Sequence, residues 1–116
     1  MISSYRDLIV WQRAMDLVEE VYRLAKCLPR DEGYGIANQI RRAAVSIPSN
    51  IAEGYARMAA KDYSRFLVIA RGSKCELETQ LEICRRVGYL TAAEIEKATA
   101  MCDEIGRMLN SILAKL

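Results

Sequence analysis

From Ile95 onward the apolar residues Ile95, Ala98, Cys102, Ile105, Leu109, Ile112 and Leu116 step by three and four without a fault. That rhythm lays one apolar stripe along an α-helix, whereas a strand would need alternation by two. Thr91 stands where such a helix should begin, and Glu94 three residues later completes a capping box. The same stepping recurs near the start of the chain, through Trp11, Ala14, Val18, Val21, Ala25 and Leu28, until Pro29 stops it. Helices over residues 6–27 and 92–116 are therefore expected.

A third helix is expected over residues 60–87, carried by Tyr63, Phe66, Ala70, Ser73, Leu77, Gln80 or Leu81, Cys84 and Val87, with Gly88 as its C-cap. Small residues at its centre (Ala70, Gly72, Ser73) favour close approach of a neighbouring helix, with a ligand site as the other reading. The second segment contains Pro48, which cannot donate to the carbonyl of Ala44 and crowds that turn. Yet Ile40, Ala44, Ile47, Ile51 and Met58 keep one helical phase across it, which predicts a single helix over residues 34–57, kinked at Pro48. Ser46, Ser49 and Asn50 are then placed to bond backbone groups that the proline frees. Four long helices with short connections predict an all-α, antiparallel up-down-up-down four-helix bundle, one domain over residues 1–116.

What such a bundle does is constrained by what it lacks. The 116 residues include no histidine, so the commonest general base and metal ligand are both missing. A ferritin-like di-iron site needs Glu-x-x-His on its helices and is excluded. The four cysteines form no CxxC pair, which argues for reduced thiols in the cytosol and against zinc. No apolar run approaches the ~18 residues of a membrane span, and the first residues lack the apolar region of a signal peptide. No phosphate-binding glycine loop is present, and Glu78 and Glu82 read as solvent-facing rather than as an acid/base pair. The expectation is a non-enzymatic, cytoplasmic protein with no cofactor, no metal and no small-molecule substrate.

Two patterns point to partners instead. The first helix is apolar well beyond the ~100° stripe that a core-facing helix needs. Outside the seam lie Leu8, Met15 and Tyr22 on one flank and Val10, Leu17 and Leu24 on the other. This excess predicts a contact with a second copy of the chain, unless the N-terminal tail folds over one flank. The second pattern is charge. The formal net of +2 hides a window over residues 37–75 that carries Arg41, Arg42, Arg57, Lys61, Arg65, Arg71 and Lys74 against only Glu53 and Asp62, a net of +5. Arg57, Lys61 and Arg65 step by four and share a face if one helix runs through them. Clustered cations suit phosphates, because neutralising them releases counterions. An ordinary solvated face and an acidic protein partner remain the alternatives.

The run from Gln39 to Tyr55, QIRRAAVSIPSNIAEGY, closely resembles the signature of bacterial four-helix-bundle proteins encoded in intervening sequences of 23S ribosomal RNA genes. Val10-Trp11-Gln12, Leu28-Pro29-x-x-Glu32-x-x-Gly35, Arg65-Phe66-Leu67, Gly72-Ser73 and the run from Glu76 to Leu81 also resemble that family, so the likeness spans the chain. The sequence is similar, too, to the accessory variability protein of diversity-generating retroelements. The resemblance implies a bundle assembled as a barrel-like homopentamer, and association with RNA, DNA or a nucleic-acid-processing protein through a basic surface. It implies no established reaction. Within the signature, Ser46, Asn50 and Glu53 lie three or four apart on one side of the helix. They are expected either to satisfy the kink, pairing with Gln80 or Arg42, or to line a polar site between subunits.

Overall fold

The computed structural model describes residues 2–116. Four long helices follow one another: α1 (Ile9–Ala25), α2 (Ile36–Ala56), α3 (Ala60–Arg86) and α4 (Ala92–Ala114). Short 3₁₀ turns at Tyr5–Asp7 and Arg30–Glu32 precede α1 and α2, and the described residues include no strand. Each helix packs on two others, α1 and α3 both lying against α2 and α4, while the diagonal pairs do not meet. That ring of neighbours is a four-helix bundle. Contacts along α2 and α3 run in opposite senses: Ser46 meets Ser73, and further along α2 Gly54 meets Phe66, earlier in α3. The same holds for α3 and α4, where Arg71 meets Asn110 and Lys74 meets Gly106.

The caps form where the residues call for them. The Thr91 hydroxyl accepts from the Glu94 amide at 3.1 Å, and the Glu94 carboxylate accepts from the Thr91 amide at 2.8 Å. Gly88 closes α3 at φ +84, a left-handed conformation that glycine adopts without steric cost. Near it the Tyr89 hydroxyl donates to Glu32 at 2.7 Å and ties the α3–α4 turn to the turn before α2. This bond holds the Tyr89 hydroxyl above the ordinary tyrosine pKa.

Pro48 is buried inside an unbroken α2. The side-chain amide of Asn50 donates to the Ser46 carbonyl at 2.7 Å and to the Ser46 hydroxyl at 3.0 Å. One turn of backbone next to the proline is thereby braced by a side chain. Met58 does not continue the apolar phase of α2, contrary to expectation. It lies beyond the helix end with φ 66 and is 92% exposed.

The burial of α1 corrects the interface expected from its sequence. Leu17 and Leu24 are fully buried, and Leu8 and Val10 nearly so, all within the core of this one chain. The reason is geometric: α1 faces α2 and α4 at once, so its buried arc must be wider than the stripe of a helix with one neighbour. A charge at Leu17 or Leu24 would enter the core rather than an interface. Met15 and Tyr22 stay exposed. The N-terminal turn does fold over part of this flank, with the Tyr5 and Trp11 rings edge to face at 5.4 Å. Glu20, also buried, is held by two hydrogen bonds from Arg23 at 3.0 and 2.6 Å, which lower its carboxyl pKa.

No helix among the described residues is long and apolar enough to cross a membrane.

Candidate nucleic-acid interface

The seven candidate cations separate into three groups. Arg41 is half-buried and donates to the Gly33 carbonyl at 3.1 Å, while its exposed neighbour Arg42 makes no ion pair among the described residues. Arg71 donates to the Asn110 side chain at 2.9 Å, on the α4 side. Lys74 lies across Gly106 of α4 with its side chain only 13% exposed, 3.0 Å from Glu78. Burial opposes the Lys74 charge more than any single neighbour favours it, but the hydrogen bond and charge of Glu78 together with Cys75 and Cys102 raise the pKa overall. Arg71 and Lys74 are therefore structural links between α3 and α4.

Arg57 and Arg65 do come together, though not along one helix. The α2 helix ends at Ala56 and α3 starts at Ala60, so the chain turns between Arg57 and the pair Lys61 and Arg65. What gathers Arg57 and Arg65 is Phe66. The Arg57 guanidinium lies 5.2 Å from the centre of its ring and that of Arg65 4.9 Å, both in cation–π range. Lys61 is exposed and makes no ion pair among the described residues. Glu53 and Asp62 approach Arg57 and Arg65 at 3.8 and 3.6 Å, in pairs about half exposed at every member. Such loose surface pairs contribute little and leave the guanidinium groups free to bond other acceptors.

Gly54 makes the cluster possible. A Cβ at this position would lie 2.5 Å from the Phe66 Cβ and 3.3 Å from the Tyr63 ring. Without a side chain, α2 comes close enough for Phe66 to fill the space and be buried. Tyr63 then stands edge to face with Tyr55 at 5.7 Å, and burial raises the pKa of its hydroxyl.

The signature polar residues divide. Ser46 and Asn50 form one network that crosses to α3, where the Ser46 and Ser73 hydroxyls share a 2.8 Å hydrogen bond. Glu53 does not join it. Its carboxylate is exposed toward Arg57, because hydration and a nearby cation outweigh a place among buried hydroxyls. Neither Gln80 nor Arg42 serves as partner. Gln80 is buried and donates to Glu76 at 3.3 Å, leaving its own side-chain carbonyl without a bond. Sequence reasoning missed the platform role of Phe66, whose apolar spacing marks it only as core.

All four cysteines are free thiols, and burial pushes Cys102 up to about 12. Among the described residues no three Cys, Asp or Glu side chains converge as a metal site would require.

Fold and site together define a four-helix bundle whose α2–α3 end is a cationic surface on an aromatic base. The chain belongs to the 23S rRNA-intervening sequence protein family, whose model matches residues 6–111. It is similar to the crystal structure of a protein of unknown function from the S23 ribosomal protein family of Bacteroides thetaiotaomicron. That chain is 27% identical, with a TM-score of 0.84 over 90% of this chain and 98% of the other. No curated protein matches the sequence.

The contact at Gly54 predicts a contrast between two glycines. Gly54→Ala forces α2 and α3 apart and costs roughly 1–3 kcal/mol, as overpacking does. Gly72, with nothing within 4 Å of its Cβ position, should gain about 0.5–1 kcal/mol of helix stability as Gly72→Ala. Urea unfolding followed by circular dichroism checks both signs.

Proposed function

We propose that this protein is a self-associating helical-bundle subunit that binds nucleic acid as an accessory or scaffold, without catalysing a reaction. The observation that carries the reading is the seating of Arg57 and Arg65 on the Phe66 ring with only loose acidic pairs, while Lys61 stands exposed one turn before Arg65 on α3. A buried aromatic ring holds both guanidinium groups within 5.2 Å of its centre, and guanidinium geometry suits phosphate oxygens. At the opposite end of α3 the pairing is tight instead of loose: Arg85 and Arg86 both bond Glu82 at 2.7–2.9 Å and hold its pKa at about 2. The lack of histidine and of converging acids favours binding over chemistry.

Self-association rests on two apolar surfaces left over after the core is filled. One is a shallow groove between α1 and α2, lined by Trp11, Met15, Val18, Val45, Ser49 and Ala52. The other is the outer face of α3, where Val68, Ile69 and Ile83 are exposed. Two different surfaces on one chain suit a head-to-tail contact, which closes into a ring. Five copies is the number that the family resemblance implies. A ring would repeat the cation cluster once per subunit.

Light scattering on wild-type protein should report a closed oligomer at micromolar concentration, and Met15→Glu with Tyr22→Glu should give smaller species of unchanged helicity. A compact wild-type monomer would contradict self-association.

Nucleic-acid binding has its own signature. Affinity for a labelled RNA with duplex and single-stranded parts should fall with salt, at a log–log slope of roughly −2 to −3 per subunit engaged if three phosphates are neutralised. Charge reversal at Arg57, Lys61 and Arg65 should weaken binding at least about tenfold, since each charge-assisted contact contributes ~1.5–3 kcal/mol. Arg85→Gln with Arg86→Gln should leave it unchanged. No retardation at low salt would sink the nucleic-acid reading and favour an acidic protein partner.

A further inference from the structure

The cavity of interest, about 650 Å³, opens at the same end of the bundle as the cation cluster. Tyr5, Tyr55 and Tyr63 line it together with Met58, Ala60 and Leu116. Three tyrosines around one opening give an apolar space walled by flat rings, with hydroxyls that no described residue bonds. A purely aliphatic guest would need neither the rings nor any charge at the mouth.

Cations adjoin the lining in sequence: Arg57 lies between the lining residues Ala56 and Met58, and Lys61 follows Ala60. Arg6 stands next to Tyr5, its guanidinium 5.5 Å from the ring centre. The acidic neighbours already have partners: Asp7 accepts from the lining residues Ser3 and Ser4 at 3.0–3.2 Å, and Glu53 and Asp62 lie loosely against Arg57 and Arg65 at 3.8 and 3.6 Å. At the rim Met58 holds a left-handed backbone, uncommon for any residue but glycine, and exposes an apolar side chain almost completely. Strain of this kind marks places where the surrounding fold enforces a conformation, and functional sites are prominent among them.

Flat rings inside and cations outside match a guest that is itself a flat ring joined to phosphates. We propose that this cavity receives an unstacked base of a single-stranded nucleic acid, stacked on the face of one of the perpendicular rings of Tyr55 and Tyr63 and edge-on to the other, while Arg57 and Lys61 hold the flanking phosphates. Paired bases hide their faces in the duplex stack, so only a loop, bulge or free end presents a base in this way. The inference rests on the nucleic-acid reading above and specifies which form of nucleic acid the site takes.

Anisotropy with two labelled oligonucleotides of equal length, one of thymidines and one of abasic sugar-phosphates, separates the two readings. Base stacking at such sites gives about tenfold tighter binding of the thymidine strand. Tyr55→Leu and Tyr63→Leu should bring it down to the abasic level without changing abasic affinity, whereas Tyr55→Phe and Tyr63→Phe should keep the preference. Wild-type protein photo-crosslinked to a 5-iodouracil strand should carry the adduct on Tyr55 or Tyr63, which tests the site even if a leucine variant fails to fold. Equal affinity for both strands, or adducts confined to other regions, overturns the base pocket and leaves phosphate binding standing. Failure of both strands to bind at low salt removes the nucleic-acid reading itself.

Discussion

The close approach of α2 to α3 at Gly54 is the constraint on which the rest of this structure depends. With no side chain there, Phe66 is buried against α2 and Tyr63 is held beside Tyr55. Two turns earlier along α2, the Ser46–Ser73 hydrogen bond fixes the same pair of helices in register. Asn50 ties that bond to the backbone next to Pro48. Packing and polar contacts thus agree on one alignment. A slip of either helix would separate Phe66 from Gly54 and strand buried hydroxyls, each a cost of about 1–3 kcal/mol.

From that alignment follows the distribution of charge. A net of +2 spread evenly would give a featureless surface. Instead Arg71 and Lys74 are drawn into links with α4, and Arg41 into a link with a turn. Of the seven candidate cations, Arg57, Lys61 and Arg65 stand where α2 turns into α3, and Arg42 lies within α2 without an ion pair among the described residues. The two ends of the 43 Å molecule consequently hold their cations differently. At one end Arg57 and Arg65 rest on an aromatic ring; at the other, Arg85 and Arg86 share tight bonds to Glu82.

Much of this was legible in the residues. The stepping of Ile95 to Leu109 and the Thr91–Glu94 box define α4 because periodicity and capping are local properties. The continuity of α2 through Pro48 could be read from the shared phase of Ile40 to Ile51. Long-range features were harder to read. The single helix that would have put Arg57, Lys61 and Arg65 on one face is broken between Arg57 and Lys61; Arg57 and Arg65 meet instead through a tertiary contact with Phe66. The apolar flank of α1 signalled excess burial, yet whether Leu17 and Leu24 meet a partner or their own chain depends on how many neighbours α1 has. Gly54 looked like a residue of a signature, and its purpose appears only when Phe66 is set opposite it.

The central claim is that the α2–α3 end is the surface that meets nucleic acid. Hydrogen–deuterium exchange on wild-type protein, with and without a short single-stranded RNA at low salt, tests it most directly. The account predicts slowed exchange across residues 53–66, with residues 82–90 unchanged. Protection confined to the Arg85–Arg86 end, or no protection under conditions where binding is saturated, would contradict it.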